Sequence, residues 1–155
     1  MKPKHIRDIG RHSRAREIAL MMLPESTYTH TERVVRLAVD TGEYIAMDEE
    51  SRTRVRDAAW LHDVVEDTTV MLGTLLNLGI EWATVEAVRL LTRPASLTYN
   101  QYIGEIAQSG NVVALMVKVA DLRDHLNQKE TLPASLKSRY EAALEILTID
   151  LSRED

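Results

Sequence analysis

Residues 58–69 read Ala-Ala-Trp-Leu-His-Asp-Val-Val-Glu-Asp-Thr-Thr, so four ionisable side chains sit inside an apolar run. On a helix each residue advances about 100°, which places His62, Asp63, Glu66 and Asp67 within one arc of about 140°. Ala58, Trp60, Leu61, Val64 and Val65 occupy most of the remaining circumference. A helix that is apolar over most of its surface packs deep, and its polar stripe then faces an interior cavity. Charge in such a place needs a partner, and a cation supplies one. The plainer alternative is a solvated acidic face beside a chance His-Asp pair.

The rest of the chain carries helical punctuation. The first helix is expected over 13–23, stopped by Pro24. Ser26 or Thr27 caps a second that runs to Gly42, and Asp48 opens a third that carries the His-Asp segment, with Glu49 and Glu50 suiting its N-terminal dipole. Thr68 or Thr69 starts a short helix through Asn77, ended by Gly79. Further helices are expected over 81–92, from Thr98 to Gln108, over 111–128, and from Pro133 to about Leu151. No segment alternates with period two, no repeat is visible and no linker divides the 155 residues. The expectation is an all-α fold, a single compact domain of about seven or eight helices. A basic N-terminal arm and first helix (1–25) would pack on the main body (26–155). Trp60 and Trp82 read as core, as do Tyr140, Ala143, Leu144 and Leu147. Tyr99 and Tyr102 read as packed tyrosines or as stacking platforms for a base.

Two further residues bear on the acidic stripe. His30 lies one turn before Val34 on the inward face of the second helix, and Asp121 closes the apolar run Val112–Ala120, whose one charge is Lys118. Singly, His30 reads as a hydrogen-bonded core histidine and Asp121 as the ion-pair partner of Lys118 or Arg123. Together with His62 and Asp63 they make two imidazoles and two carboxylates, a donor set that suits a borderline or hard divalent ion with positions left for water. The chain has no cysteine, so sulfur-ligated zinc is excluded. Water on such an ion loses a proton near neutral pH and can attack phosphorus; Glu66 and Asp67 would hold that water or take its proton.

The order His30, His62-Asp63, Asp121 resembles the HD-domain phosphohydrolases. The string Leu61-His-Asp-Val-Val-Glu-Asp-Thr68, with Leu90-Leu-Thr-Arg93 and Val117-Lys-Val-Ala-Asp-Leu122, is similar to the RelA/SpoT-type hydrolases of guanosine tetra- and pentaphosphate. The likeness covers roughly residues 26–147. It implies an HD domain that binds one divalent metal through His30, His62, Asp63 and Asp121, usually Mn2+, with Fe2+, Mg2+, Co2+, Ni2+ or Zn2+ as substitutes. It implies Glu66 and Asp67 as the pair that handles the water, and a 3′-pyrophosphate as the group removed. The chain departs from that group where Met21–Thr27 lacks a basic residue, and where His125 stands in place of an asparagine near the substrate sugar. Lys118, His125 and Arg33 are the candidate substrate contacts; Lys118 equally reads as neutralising a carboxylate and Arg33 as a solvated surface residue. Arg93 reads as a helix cap or a phosphate ligand. The alternatives are an HD-type nucleotide monophosphatase and a catalytically silent HD domain that binds a nucleotide or a protein.

A net charge of −5 disfavours a general nucleic-acid binder. Residues 1–16 nevertheless carry Lys2, Lys4, Arg7, Arg11, Arg14 and Arg16 against Asp8 alone, an arm able to meet substrate phosphates but more often structural or solvated. His5 and His12 read as surface residues of that arm. No apolar run is long enough to span a bilayer and no signal-peptide pattern opens the chain, so a cytoplasmic protein with a small nucleotide as partner is expected. A homo-oligomer is compatible with all of this.

Overall fold

A computed structural model describes residues 13–153, with side chains through Ile149. The basic residues Lys2, Lys4, Arg7 and Arg11, together with His5 and His12, lie outside the described residues. Among the described residues there are helices and no strands. They are α1 (Arg14–Met22), α2 (Glu25–Val39), α3 (Gly42–Ala46), α4 (Glu49–Leu61), α5 (Val64–Asp67), α6 (Leu72–Asn77), α7 (Trp82–Leu91), α8 (Tyr99–Gln108), α9 (Val112–Asn127) and α10 (Ala134–Arg153). The fold is all-α. The one-turn segments α3 and α5 are the additions to the eight helices that periodicity and punctuation mark out. No helix is long and apolar enough to cross a membrane among these residues.

α9 organises the molecule. Nine of its side chains are buried, from Ala114 round to Asp124, so it is apolar on nearly every face and must be surrounded. It packs against α2, α4, α7 and α10. Asn111 caps it by accepting from the Ala114 N–H, and Gly110 before it takes φ +68°, a left-handed turn that suits glycine. α4 is capped by Asp48 and α8 by a reciprocal Thr98–Gln101 box. α1 docks on α4 through Ala15, Ile18 and Ala19.

Several boundaries differ from the sequence expectation, each for a local reason. α4 does not run on through the His-Asp pair; it stops at Leu61, and Asp63 sits at φ −103°, ψ −6° before α5 begins. The Nδ1–H of His62 donates to the Ala59 carbonyl at 2.7 Å. That carbonyl is the one an unbroken helix would offer to the Asp63 N–H, so the side chain competes with the ladder at this turn. Thr68 does not cap α6. Its hydroxyl donates to the Val64 carbonyl and accepts from the Val70 N–H, closing α5 instead, and α6 starts at Leu72. Pro24, not Ser26 or Thr27, is the N-cap of α2, and Gly42 opens α3 where it was expected to end α2. Trp60 is buried and stacks on Tyr28, but Trp82 is 68% exposed at the first position of α7. Tyr102 is buried, with its hydroxyl donating to the Leu91 carbonyl.

One acid in α4 makes stability depend on pH. Burial pushes the Asp57 carboxyl up to about 6, against the opposing charge of Arg56. An unfolded aspartate titrates near about 3.9. The folded state therefore prefers the protonated acid: its stabilisation is full below about pH 4 and is lost as the pH rises through about 6. The full shift is worth about 3 kcal/mol, which partial exposure reduces to about 1–2 kcal/mol. The stability advantage of Asp57→Asn over the parent should therefore grow by about 1–2 kcal/mol between pH 4 and pH 7.5 in urea unfolding. Parallel curves for the two proteins would refute it.

Candidate metal centre and adjoining cavity

Three helix-bearing segments bring ionisable groups together at one point. α2 supplies His30, the α4–α5 break supplies His62 and Asp63, and α9 supplies Asp121, Asp124 and His125. One donor atom from each of His30, His62 and Asp121 lies within 4.8 Å of the others. His30 Nε2 is 2.9 Å from Asp121 Oδ1 and 3.7 Å from Asp63 Oδ2. His62 Nε2 is 3.1 Å from Asp63 Oδ2 and 3.5 Å from Asp121 Oδ1. His62 and Asp63, adjacent in the chain at this break, bring Nε2 and Oδ2 to 3.1 Å of each other beside that point.

The electrostatics follow from this crowding. Burial alone would lower the His30 imidazole, but its hydrogen bond to Asp121 and that group's charge raise it above its ordinary value. His62 is likewise raised well above its ordinary range, burial being outweighed first by the charge of Asp63. Burial would raise Asp121, yet the Lys118 ammonium 2.9 Å away and the surrounding imidazoles hold it well below the usual carboxylate range. Asp63 is lowered too, the His62 charge prevailing over burial. Lys118 is largely but not fully buried and kept protonated: burial opposes its charge, and Asp121 wins.

These residues fit a divalent cation on two counts. His62 Nδ1 is committed to Ala59, while its Nε2 is buried, has no hydrogen-bond partner and points among carboxylates that are close in distance but wrongly placed for an N–H. An imidazole held in this way offers a lone pair to an ion once the ion's charge displaces the Nε2 proton that the neighbouring carboxylates favour. His30 has both ring nitrogens against carboxylate oxygens, an arrangement that calls for positive charge at Nε2, either a proton or a metal.

A cavity of about 230 Å³ opens beside the cluster, lined in part by His62, Asp63, Glu66, Lys118, Asp121 and His125. Its far wall is Leu91, Arg93, Tyr99, Tyr102, Arg139 and Tyr140. Glu66 projects from α5 at the exposed rim, and burial raises its carboxyl despite a hydrogen bond from the Arg93 backbone N–H. Asp67 is exposed and outside the cavity lining, its carboxyl raised by burial and then by Asp63. His125 is part-exposed, 3.3 Å from Asp121, and stacks on Tyr140. Tyr140 thus belongs to the cavity wall as well as to the core face of α10. Arg33 does not line the cavity; its Nε donates to Asp124 at 2.8 Å.

The sequence reading passed over two residues here. Asp124 is one, although a second acid one turn after Asp121 in so apolar a helix is a signal the sequence carries. Arg139, whose guanidinium lies 3.8 Å from the centre of the Tyr99 ring, carried no signal: it sits on the last helix among other charged residues.

No protein-family model and no curated protein matches the chain.

Proposed function

We propose that this chain is an HD-type, metal-dependent phosphohydrolase of a small nucleotide, with the 3′-pyrophosphate of guanosine tetra- or pentaphosphate as the first-choice substrate. The observation that carries the reading is the buried Nε2 of His62, without a well-formed hydrogen bond, grouped with donor atoms of His30 and Asp121 and with Asp63 3.1 Å away. Those four residues would hold the ion, with Mn2+ as the first choice. Such an ion would acidify a water and polarise a phosphoryl oxygen when bound. Glu66, at the cavity rim with its carboxyl raised by burial, is placed to accept the proton of the attacking water. Lys118, Arg93 and Arg139 supply positive charge along the same cavity, which suits a phosphorylated ligand and the negative charge that builds up during phosphoryl transfer. Asp121 would serve the ion while accepting from the Lys118 ammonium, which lines the same cavity.

A second reading, an HD-type nucleotide monophosphatase, draws on a different observation. Met21–Thr27 carries no basic residue, and Met21 and Met22 line a separate apolar groove away from the cavity. The test is an assay of the purified chain with Mn2+ across guanosine tetraphosphate and ordinary nucleotides, with products identified. Release of pyrophosphate from the 3′ position is expected. Orthophosphate from nucleoside monophosphates would select the second reading, and ligand binding without any turnover would leave only a binding domain.

A further inference from the structure

We propose that Asp124, backed by Arg33, is a positioning residue that fixes the His30 imidazole for a divalent cation, an inference that rests on the metal reading above. Asp124 is 2% exposed on the central helix α9, and no step of the proposed reaction uses it. A carboxylate so far from water must be satisfied by protein groups. Both of its oxygens are: Oδ2 accepts from His30 Nδ1–H at 2.6 Å, and Oδ1 accepts from Arg33 Nε–H at 2.8 Å. His30 and Arg33 are one turn apart on α2, so a single carboxylate from α9 grips the same face of that helix twice.

The consequence for the imidazole is definite. A carboxylate only accepts, so Nδ1 carries the proton and the ring cannot flip without losing a short charge-assisted bond. Nε2 is thereby turned towards Asp121 and Asp63. His62 is held in the same sense by a backbone carbonyl, so both imidazoles reach the shared point through Nε2 with Nδ1 anchored. A carboxylate behind a ligating histidine also raises its basicity, and loss of such a partner typically costs about ten- to a hundredfold in metal affinity. This assigns Arg33 to Asp124 and not to a substrate phosphate; its own side chain is 41% exposed and outside the cavity lining.

The test is calorimetric titration of the full chain with Mn2+, comparing the parent with Asp124→Ala, Asp124→Asn, Arg33→Ala and the Arg33→Ala/Asp124→Ala pair. Asp124→Ala should bind about ten- to a hundredfold more weakly. Asp124→Asn should recover part of that loss, because its amide oxygen still accepts from Nδ1–H while the charge is lost and its NH2 meets the Arg33 donor. Arg33→Ala should cost a smaller factor in the parent background and nothing further once Asp124 is gone, since it acts through that residue. Unchanged affinity in Asp124→Ala would overturn the inference while leaving the metal reading in place, as would an equal Arg33→Ala loss in both backgrounds. If Asp124→Ala fails to fold, Arg33→Ala, which keeps most of the packing, decides: a weaker Mn2+ affinity than the parent's supports the inference and parent-like affinity overturns it. A parent protein that binds no Mn2+ would overturn the metal reading and this inference with it.

Discussion

Asp121→Ala is expected to lower the stability of the metal-free protein by about 3–5 kcal/mol and to remove divalent-ion binding altogether. Asp121 is 4% exposed and sits at the meeting point of Lys118, His30, His62 and His125. Its removal leaves a buried ammonium with no counter-charge, and the lost carboxylate cannot be replaced by water at that depth. For a chain of this size such a loss corresponds to a drop of about 10 °C or more in melting temperature. The contribution has a sign in pH as well. Because the folded carboxyl is held well below its ordinary value, its stabilisation is present above the normal carboxylate range and is lost as the pH falls. Asp63→Ala is the informative contrast. Asp63 is more exposed and has no ammonium beside it, so that variant should lose the ion with a much smaller change in melting temperature. Thermal melts and Mn2+ titrations of the two variants side by side check both statements. An Asp121→Ala protein as stable as the parent would mean that Lys118 finds another partner.

Glu66→Gln is expected to keep Mn2+ affinity within a few-fold while lowering turnover by about 10²–10⁴. Glu66 reaches the cavity from α5 but is not among the donors that converge at the shared point, so neutralising it should leave the ion site intact. Its carboxyl, raised chiefly by burial, is better matched to proton transfer near neutral pH than an ordinary surface glutamate would be. The variant is almost isosteric and sits on an exposed rim, so folding should be unaffected. Turnover at the parent rate would remove Glu66 from the mechanism and shift attention to Asp67, which lies one residue on and is also exposed.

Much of the helical layout is legible in the chain because its signals are local. Pro24, Asp48, Thr98 and Gly110 mark ends or starts that the backbone itself enforces, through a missing N–H, a capping oxygen or a positive φ. The misplacements share a different origin. The break at His62-Asp63 goes with a side chain taking a carbonyl from its own helix, and the Thr68 hydroxyl turns back to the Val64 carbonyl that its own N–H also uses; neither leaves a mark in hydrophobic periodicity. The exposure of Trp82 depends on whether another element covers the start of α7, which no property of the tryptophan reveals.

What the sequence alone determined is therefore the all-α class, the eight longer helices and the chemical types present: two imidazoles and several acids set in apolar surroundings. What only the tertiary structure decided is which of those groups meet. His30 and Asp121 are 91 residues apart, and their approach to 2.9 Å depends on α2 packing against α9. The same packing gave Asp124 its two partners and took Arg33 away from the cavity. Backbone signals act over a few residues, whereas the partner of a buried charge is whatever the folded chain carries to within a few ångströms of it.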